Sequence, residues 1–533
     1  MRRFIGLLLL LSLLSAGCQT PAAPAAATEA ATLPAPSPSP TSPTATATAR
    51  PPTPSQAPTL PAATTAAAAA LPIPSLSLAP CEVGPWAITA ACGALHVPED
   101  RSRPDGRAMD LKIVVVRAYG HDPAPDPLFY IAGGPGNVAT SDDIVTGVRN
   151  LLWAVNAQHD LVFLDQRGTN DGHRLTCEYP SFSIAEAPQS QVDDWMKGCL
   201  AGLDGDPRFY TTAEAMRDLD QARLALGYDK INLFGISYGA AAVQVYMRMY
   251  PEHVRTAVID HGTALDLPFF QAFPRASQSA LDQVFTYCEQ DEKCQAAYPD
   301  IRGDWQAVLD RLAKGPVVTN FTPPGADAPA QVDLDDLVDG VHHLMYTSGT
   351  YTQLPFLVHA LATQEDWTPI LMSLNEQGSS SSEDSEENRF LFMANSIFCF
   401  EPAWGDDPEA IARLNPGAYI TDLQVRRAEI QQKICAALPK PDPSLIYGPG
   451  KPVPLSALML NSLLDPQNPP ANMDLALKEF TRSRVVVEPT EGHDTSAFPC
   501  RWKIIAQAIQ QGSVEGLDTS CMEQIKPTFV IGQ

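Results

Sequence analysis

The stretch Ile231 to Ala242 (INLFGISYGAAA) constrains the fold of this chain more than any other. It opens as a short apolar run of strand type and breaks at a G-x-S-x-G sequence. It then continues through Val243 to Tyr250 as a helix, which Pro251 stops. A serine between two such glycines is forced onto a sharp strand-to-helix turn, because Gly235 and Gly239 have no side chains to hold the two elements apart. Ser237 Oγ then stands out at the sheet end with a helix N-terminus beneath it, where negative charge is favoured. The same five-residue pattern also arises as a plain Gly-Ser turn. Here both flanks have the strand and helix character that a nucleophile requires.

The flanking sequence predicts what surrounds this turn. Residues 111–118 (LKIVVVRA), 127–132 (PLFYIA), 159–164 and 256–260 are strand-like, with helical periodicity around 144–153 and over 212–226. Strands alternating with helices at this spacing imply a parallel, twisted sheet covered on both faces. Residues 85–98 read as a small disulfide-bounded opening. From 266 to 440 the pattern is mostly helical, interrupted at 320–329 and by the Ser/acidic run 376–388, a solvated loop. Strands return at 456–461 and 484–488, and a last helix covers 501–511. The expected organisation is a core over 81–265, an inserted helical cap over 266–440, and a second core segment over 441–533.

A serine hydroxyl is a poor nucleophile at neutral pH. It needs a base in hydrogen-bond reach and a third group to orient that base. With an elbow serine the partners follow later in the chain, acid before histidine. Beyond residue 359 the sequence holds a single histidine, His493, just past a predicted strand. The acid is Asp465, in Leu464-Asp465-Pro466 past the other late strand, or Asp494 beside the histidine; Asp465 is favoured, since a neighbour's side chain should point elsewhere. The oxyanion needs backbone N–H donors. One is expected from Tyr238, directly after the nucleophile, and the other from Gly133 or Gly134 after the strand ending at Ala132, with Gly134 favoured.

The N-terminus adds a compartment. Met1-Arg2-Arg3, a short apolar run and Ser15-Ala16-Gly17-Cys18 read as an export signal over 1–17. Cys18 stands where a bacterial lipobox would be lipidated; simple secretion is the alternative. Up to about residue 80 the chain is Ala, Pro, Thr and Ser and cannot bury a core, so 18–80 is expected to be a disordered tether. The other ten cysteines are 81, 92, 177, 199, 288, 294, 399, 435, 500 and 521. An even number in an exported chain implies disulfides. Spacing does not fix their connectivity; sequential pairing is expected, Cys81–Cys92, Cys177–Cys199, Cys288–Cys294, Cys399–Cys435 and Cys500–Cys521. No Cys/His cluster suggests a metal, and no cofactor motif is present. A net charge of −25 speaks against nucleic acid as a partner.

Taken in order, Gly133-Gly134-Pro135-Gly136, Asp165-Gln166-Arg167-Gly168-Thr169, Gly235-Ile236-Ser237-Tyr238-Gly239, Leu464-Asp465-Pro466 and Gly492-His493 resemble the proline iminopeptidase and tripeptidyl aminopeptidase family of serine exopeptidases. The resemblance covers most of 81–533 and implies the α/β-hydrolase fold. Ala132 replaces a histidine usual before the first motif, and Thr169-Asn170 departs from the second. It further implies a peptide substrate whose free amino terminus is held by carboxylates of the cap. Glu401, in Ser396-Ile397-Phe398-Cys399-Phe400-Glu401, is the candidate; an exposed helix-end glutamate is the plainer reading. The expected function is an extracellular serine aminopeptidase, anchored to the membrane by lipid, that releases short N-terminal pieces through an acyl-enzyme on Ser237. A carboxylesterase with the same triad and a non-catalytic surface binding protein are the alternatives. The number of residues released, the oligomeric state and the presence of an outer membrane are not written in the sequence.

Overall fold

The computed structural model of the chain describes residues 76–169, 172–323, 327–378, 389–494, 498–523 and 525–532. The export signal, Cys18, the tether up to residue 75 and the 379–388 part of the Ser/acidic run lie outside the described residues.

Nine strands form one sheet: β1 (Leu76–Val83), β2 (Ile88–Pro98), β3 (Ala108–Val116), β4 (Leu128–Ile131), β5 (Leu161–Leu164), β6 (Ile231–Ile236), β7 (Val254–Asp260), β8 (Ala457–Ser462) and β9 (Arg484–Glu488). Their spatial order is β1-β2-β3-β5-β4-β6-β7-β8-β9. The six strands from β5 to β9 run parallel, while β1, β2 and β3 pair antiparallel to one another and β3 to β5. This is the α/β-hydrolase architecture that the motif order implies.

Period-2 alternation puts the sheet between two helical layers. Leu111, Ile113 and Val115 of β3, with Phe129 and Ile131 of β4, pack on one face; Val114, Val116, Leu128 and Tyr130 pack on the other. The first face is covered by α2 (Thr212–Leu226) and α3 (Tyr238–Met249), the second by α1 (Asp142–Leu151) and α7 (Pro499–Gln511). Buried on both sides, β6 and β8 read as continuous apolar runs rather than alternating ones. The ends of α2 carry their signals: Thr211 Oγ1 accepts from Glu214 N, and Gly227 closes the helix at φ 81°.

Between β7 and β8 the chain is mainly helical, including α4 (Phe269–Gln290), α5 (Phe392–Phe400) and α6 (Thr421–Ala437). Part of this insert has its own core, where Leu281, Val284 and Phe285 of α4 meet Trp305, Val341 and Leu357. The cysteines join in chain order, Cys81–Cys92, Cys177–Cys199, Cys288–Cys294, Cys399–Cys435 and Cys500–Cys521. Five disulfides fit an oxidising compartment outside the cytoplasm. Among the described residues no helix is long and apolar enough to cross a membrane.

The opening segment differs from the sequence reading. Residues 76–80, assigned to the tether, are the first half of β1, and 88–98 are a full strand rather than a loose opening. Alanine, glycine and cysteine fill β2 (ITAACGALHVP), so propensity is weak there. The strand is made by its ladder to β3 and by the Cys81–Cys92 bridge. Pro80 is tolerated because β1 is an edge.

Candidate active site

The chain runs from β4 to β5 on one side and returns to β6 on the other. The carboxyl ends of β4 and β6 therefore flank a point where the strand order reverses, and a crevice forms there. Ser237 occupies the end of β6, with φ 57° and ψ −121°, as the residue before α3. Its backbone is held in this conformation by a hydrogen bond from Ser237 N to Asp260 O at 2.9 Å. The flanking glycines are demanded by space: a Cβ on Gly235 would lie 2.2 Å from Gly239 O, and one on Gly239 would lie 2.2 Å from Ile131 O. No larger residue permits this crossing of strand and helix.

Strand ends further along the sheet, beyond β7, supply the other two side chains. Asp465 follows β8 and His493 follows β9. His493 Nδ1 lies 3.0 Å from Asp465 Oδ2, and Asp465 Oδ1 accepts from the amides of Gln467 (2.8 Å) and Asn468 (3.0 Å). Asp465 is fully buried. Burial alone would raise its carboxyl; His493 beside it, His261 and the Asn468 amide outweigh that and hold it below the usual carboxylate range. Asp494, the other acid considered, uses its amide on Tyr346 O, and it is Asp465 that contacts the imidazole. His493 packs against two rings, Tyr346 at 5.2 Å and His261 at 5.9 Å, centroid to centroid. Among the described residues Ser237 Oγ makes no hydrogen bond to His493. Such contacts are often loose in a free enzyme and tighten on substrate.

Ser237 opens into a cavity of about 510 Å³ that Gly134, Tyr238 and Tyr346 also line. Tyr238 is the first residue of α3, so its N–H has no acceptor within the helix. Gly134, at φ 111°, faces the same space from the turn after β4. The far wall is aromatic: Phe269 and Phe270 of α4, Phe398 of α5, and Trp404, with Phe398–Trp404 at 5.0 Å and Phe269–Trp404 at 5.5 Å. A serine, a histidine oriented by a buried carboxylate and backbone N–H donors are the groups that acyl transfer uses.

Two buried carboxylates in this part of the chain are held by hydrogen bonds. Asp165 accepts from Thr140 N and Oγ1, both at 2.9 Å, and the buried Arg167 holds Asp218 with two bonds of 2.7 and 2.9 Å.

Glu401 is not where its expected role would need it. It is 4% exposed and does not line the cavity; its carboxylate accepts from Thr212 N (2.6 Å) and Thr212 Oγ1 (2.8 Å), at the start of α2. A glutamate at a helix end caps as readily as it binds, and here a second helix captures it. The carboxylate that does line the cavity is Asp406, half-buried and pushed above its usual range by burial and by Asp407. In sequence Asp406-Asp407-Pro408 looks like a helix start, which masks it. Among the described residues, no group of three or more His, Cys, Asp or Glu is arranged to hold a metal.

Residues 126–287 match the family described as alpha/beta hydrolase fold, and residues 423–521 the family described as TAP-like protein. The chain has the α/β-hydrolase fold, and its C-terminal part is similar to the TAP-like family. A tripeptidyl aminopeptidase of Streptomyces coelicolor is 29% identical over 185 residues, covering 32% of this chain and 34% of the relative. Serine protease Hip1 of Mycobacterium tuberculosis is 29% identical over 189 residues, covering 32% and 35%. The match thus spans about a third of the length of these curated relatives. Among solved structures, proline iminopeptidase from Mycobacterium smegmatis is 12% identical, covering 79% of this chain and 98% of that one, with a TM-score of 0.34.

Proposed function

We propose that this chain is a serine peptidase that removes short N-terminal pieces from peptides outside the cytoplasm. The observation that carries the reading is the set of residues at the carboxyl ends of the parallel strands: Ser237 on its elbow after β6, and His493 after β9, held by buried Asp465. The serine peptidases among its relatives support it, as does the oxidising compartment that five disulfides imply.

In this reading Ser237 Oγ attacks the scissile carbonyl and His493 Nε2 takes its proton. The oxyanion sits against the N–H groups of Tyr238 and Gly134, at the positive end of α3. His493 returns the proton to the leaving amine, the C–N bond breaks, and the acyl-enzyme ester remains. Water, deprotonated by His493, then releases the acyl product and restores the hydroxyl. The free amino terminus pairs with Asp406, the carboxylate among the cavity-lining residues, while the aromatic wall takes apolar side chains. Lipidation of Cys18, with the Ala/Pro/Thr-rich tether, holds the domain at the outer face of the cell membrane.

A peptide-library digest read by mass spectrometry tests this. The expected result is release of one- to three-residue N-terminal pieces from free peptides and none from N-acetylated ones. Equal cleavage of blocked peptides, or turnover of esters alone, contradicts it.

A further inference from the structure

Behind the Asp465–His493 pair lies a second group of ionisable side chains that the proposed reaction does not use. Asp260 ends β7, His261 follows it, Glu488 ends β9, and Arg501 reaches in from α7; all four are fully buried. Arg501 pairs with Asp260 through Nη2, and its Nη1 stands 3.4 Å from Glu488 Oε2. His261 Nδ1 lies 2.7 Å from Asp260 Oδ1, and its Nε2 is 3.8 Å from Glu488 Oε2 with no hydrogen-bond partner. Burying such a set is expensive, and an apolar cluster of the same volume is as stable or more so. Its place in the fold suggests what it does.

His261 lies between the two halves of the site. Asp260, next to it in the chain, accepts the amide of Ser237, and His261 N donates to Leu460 O at 2.7 Å, tying β7 to β8. Its backbone is held at φ 46°, a conformation that a bulky side chain adopts only when its surroundings dictate it. The ring meets His493 edge-on, at 88° and 5.9 Å, and Tyr346 also packs on His493.

We propose that His261 is a positioning residue for the reaction assigned above: held through Nδ1 by Asp260, with the Glu488 carboxylate beyond its other nitrogen, it backs the His493 ring and presents positive charge to it. The inference rests on the reading of His493 as the base. Asp260 and Glu488 carry two negative charges against one on Arg501, and a charged His261 brings these four to neutrality. Burial would lower the His261 pKa, but Asp260, Asp465 and Glu488 together raise it. The groups facing this pair are Asp260 on β7, Asp465 after β8, Glu488 at the end of β9 with Glu491 beyond it, Arg501 on α7, and His342 and Tyr346 from the cap. Tyr130 of β4 faces Asp260, and Asp494 faces Glu491. A positive charge at His261 disfavours a second positive charge on the ring beside it, so removing it is expected to move the acidic limb of activity to higher pH.

The test uses the full chain carrying His261→Asn or His261→Phe. Asparagine tolerates the positive φ and keeps a donor for Asp260; phenylalanine keeps the ring and loses charge and donor. Hydrolysis of p-nitrophenyl acetate and of a free-amine tripeptide p-nitroanilide is followed against pH. Rates are normalised to Ser237 titrated with a fluorophosphonate, so any misfolded fraction drops out. The expected result is a kcat lower by about tenfold or more, a KM within about threefold, and an acidic limb of kcat/KM moved up by about half a pH unit or more. A normalised kcat and limb matching wild type in either variant that folds overturn the proposal. A wild type that neither labels nor turns over would instead overturn the serine-hydrolase reading beneath it.

Discussion

Asp465 directs one carboxylate oxygen to His493 Nδ1 at 3.0 Å and gives the other to the amides of Gln467 and Asn468. The acid is thus clamped by its own loop before it meets the imidazole, and the loop sets which His493 nitrogen carries the proton. With Nδ1–H donating to Asp465, Nε2 is left as the acceptor that a nucleophile needs.

Asp465→Asn preserves the shape of this arrangement but offers an amide where a carboxylate stabilised Nδ1–H. The expected outcome is a fall in kcat by about 10³-fold to 10⁴-fold with KM within a few-fold, measured with a free-amine peptide p-nitroanilide. Thermal stability should change far less than activity.

Gly239→Ala tests the elbow. The added methyl meets Ile131 O at 2.2 Å, and backbone cannot move aside without shifting β4. Destabilisation of about 3 kcal/mol or more is expected, read as a lowered melting midpoint or loss of soluble protein. The same change at Gly147, which has nothing within 4 Å of its Cβ, is the control and should be tolerated.

Cys399–Cys435 joins α5 to α6, both of which line the cavity, and closes a span of 36 residues. Replacing both cysteines by serine should cost about 3 kcal/mol in denaturant unfolding. A larger rise in KM for peptides than for p-nitrophenyl acetate is also expected, because the small ester needs less of the cavity.

Burial pushes the Glu401 carboxyl up to about 7, against an ordinary 4.5. Over that interval the folded chain binds the proton and the unfolded chain releases it, so this group's contribution to stability falls as pH rises. The difference between Glu401→Gln and wild type isolates it. The variant should gain about 3 kcal/mol relative to wild type between pH 4.5 and 8, measured by denaturant unfolding at each pH. A difference independent of pH would count against it.

How much of this was legible follows from where the determinants lie. The elbow, the central strands and α2 are coded locally, by glycines, apolar runs and caps, and the sequence places them within a residue or two. Asp465 and His493 stand out in the sequence because each lies in the loop just past a strand. His261 also follows a strand, β7, and the same reasoning could have found it; a histidine after an aspartate gave no reason to look. The sequence points to Glu401 and gives no sign of Asp406. Which one faces the cavity depends on how α2 packs against the end of α5, a contact 189 residues apart in the chain.

The central claim is that Ser237 is a nucleophile activated by His493. Treating the full chain with a fluorophosphonate, then locating the adduct by peptide mass mapping, tests it most directly. The account predicts one adduct, on Ser237, forming at least about 10³-fold more slowly in His493→Ala. No adduct on Ser237, or equal labelling rates with and without His493, would contradict it.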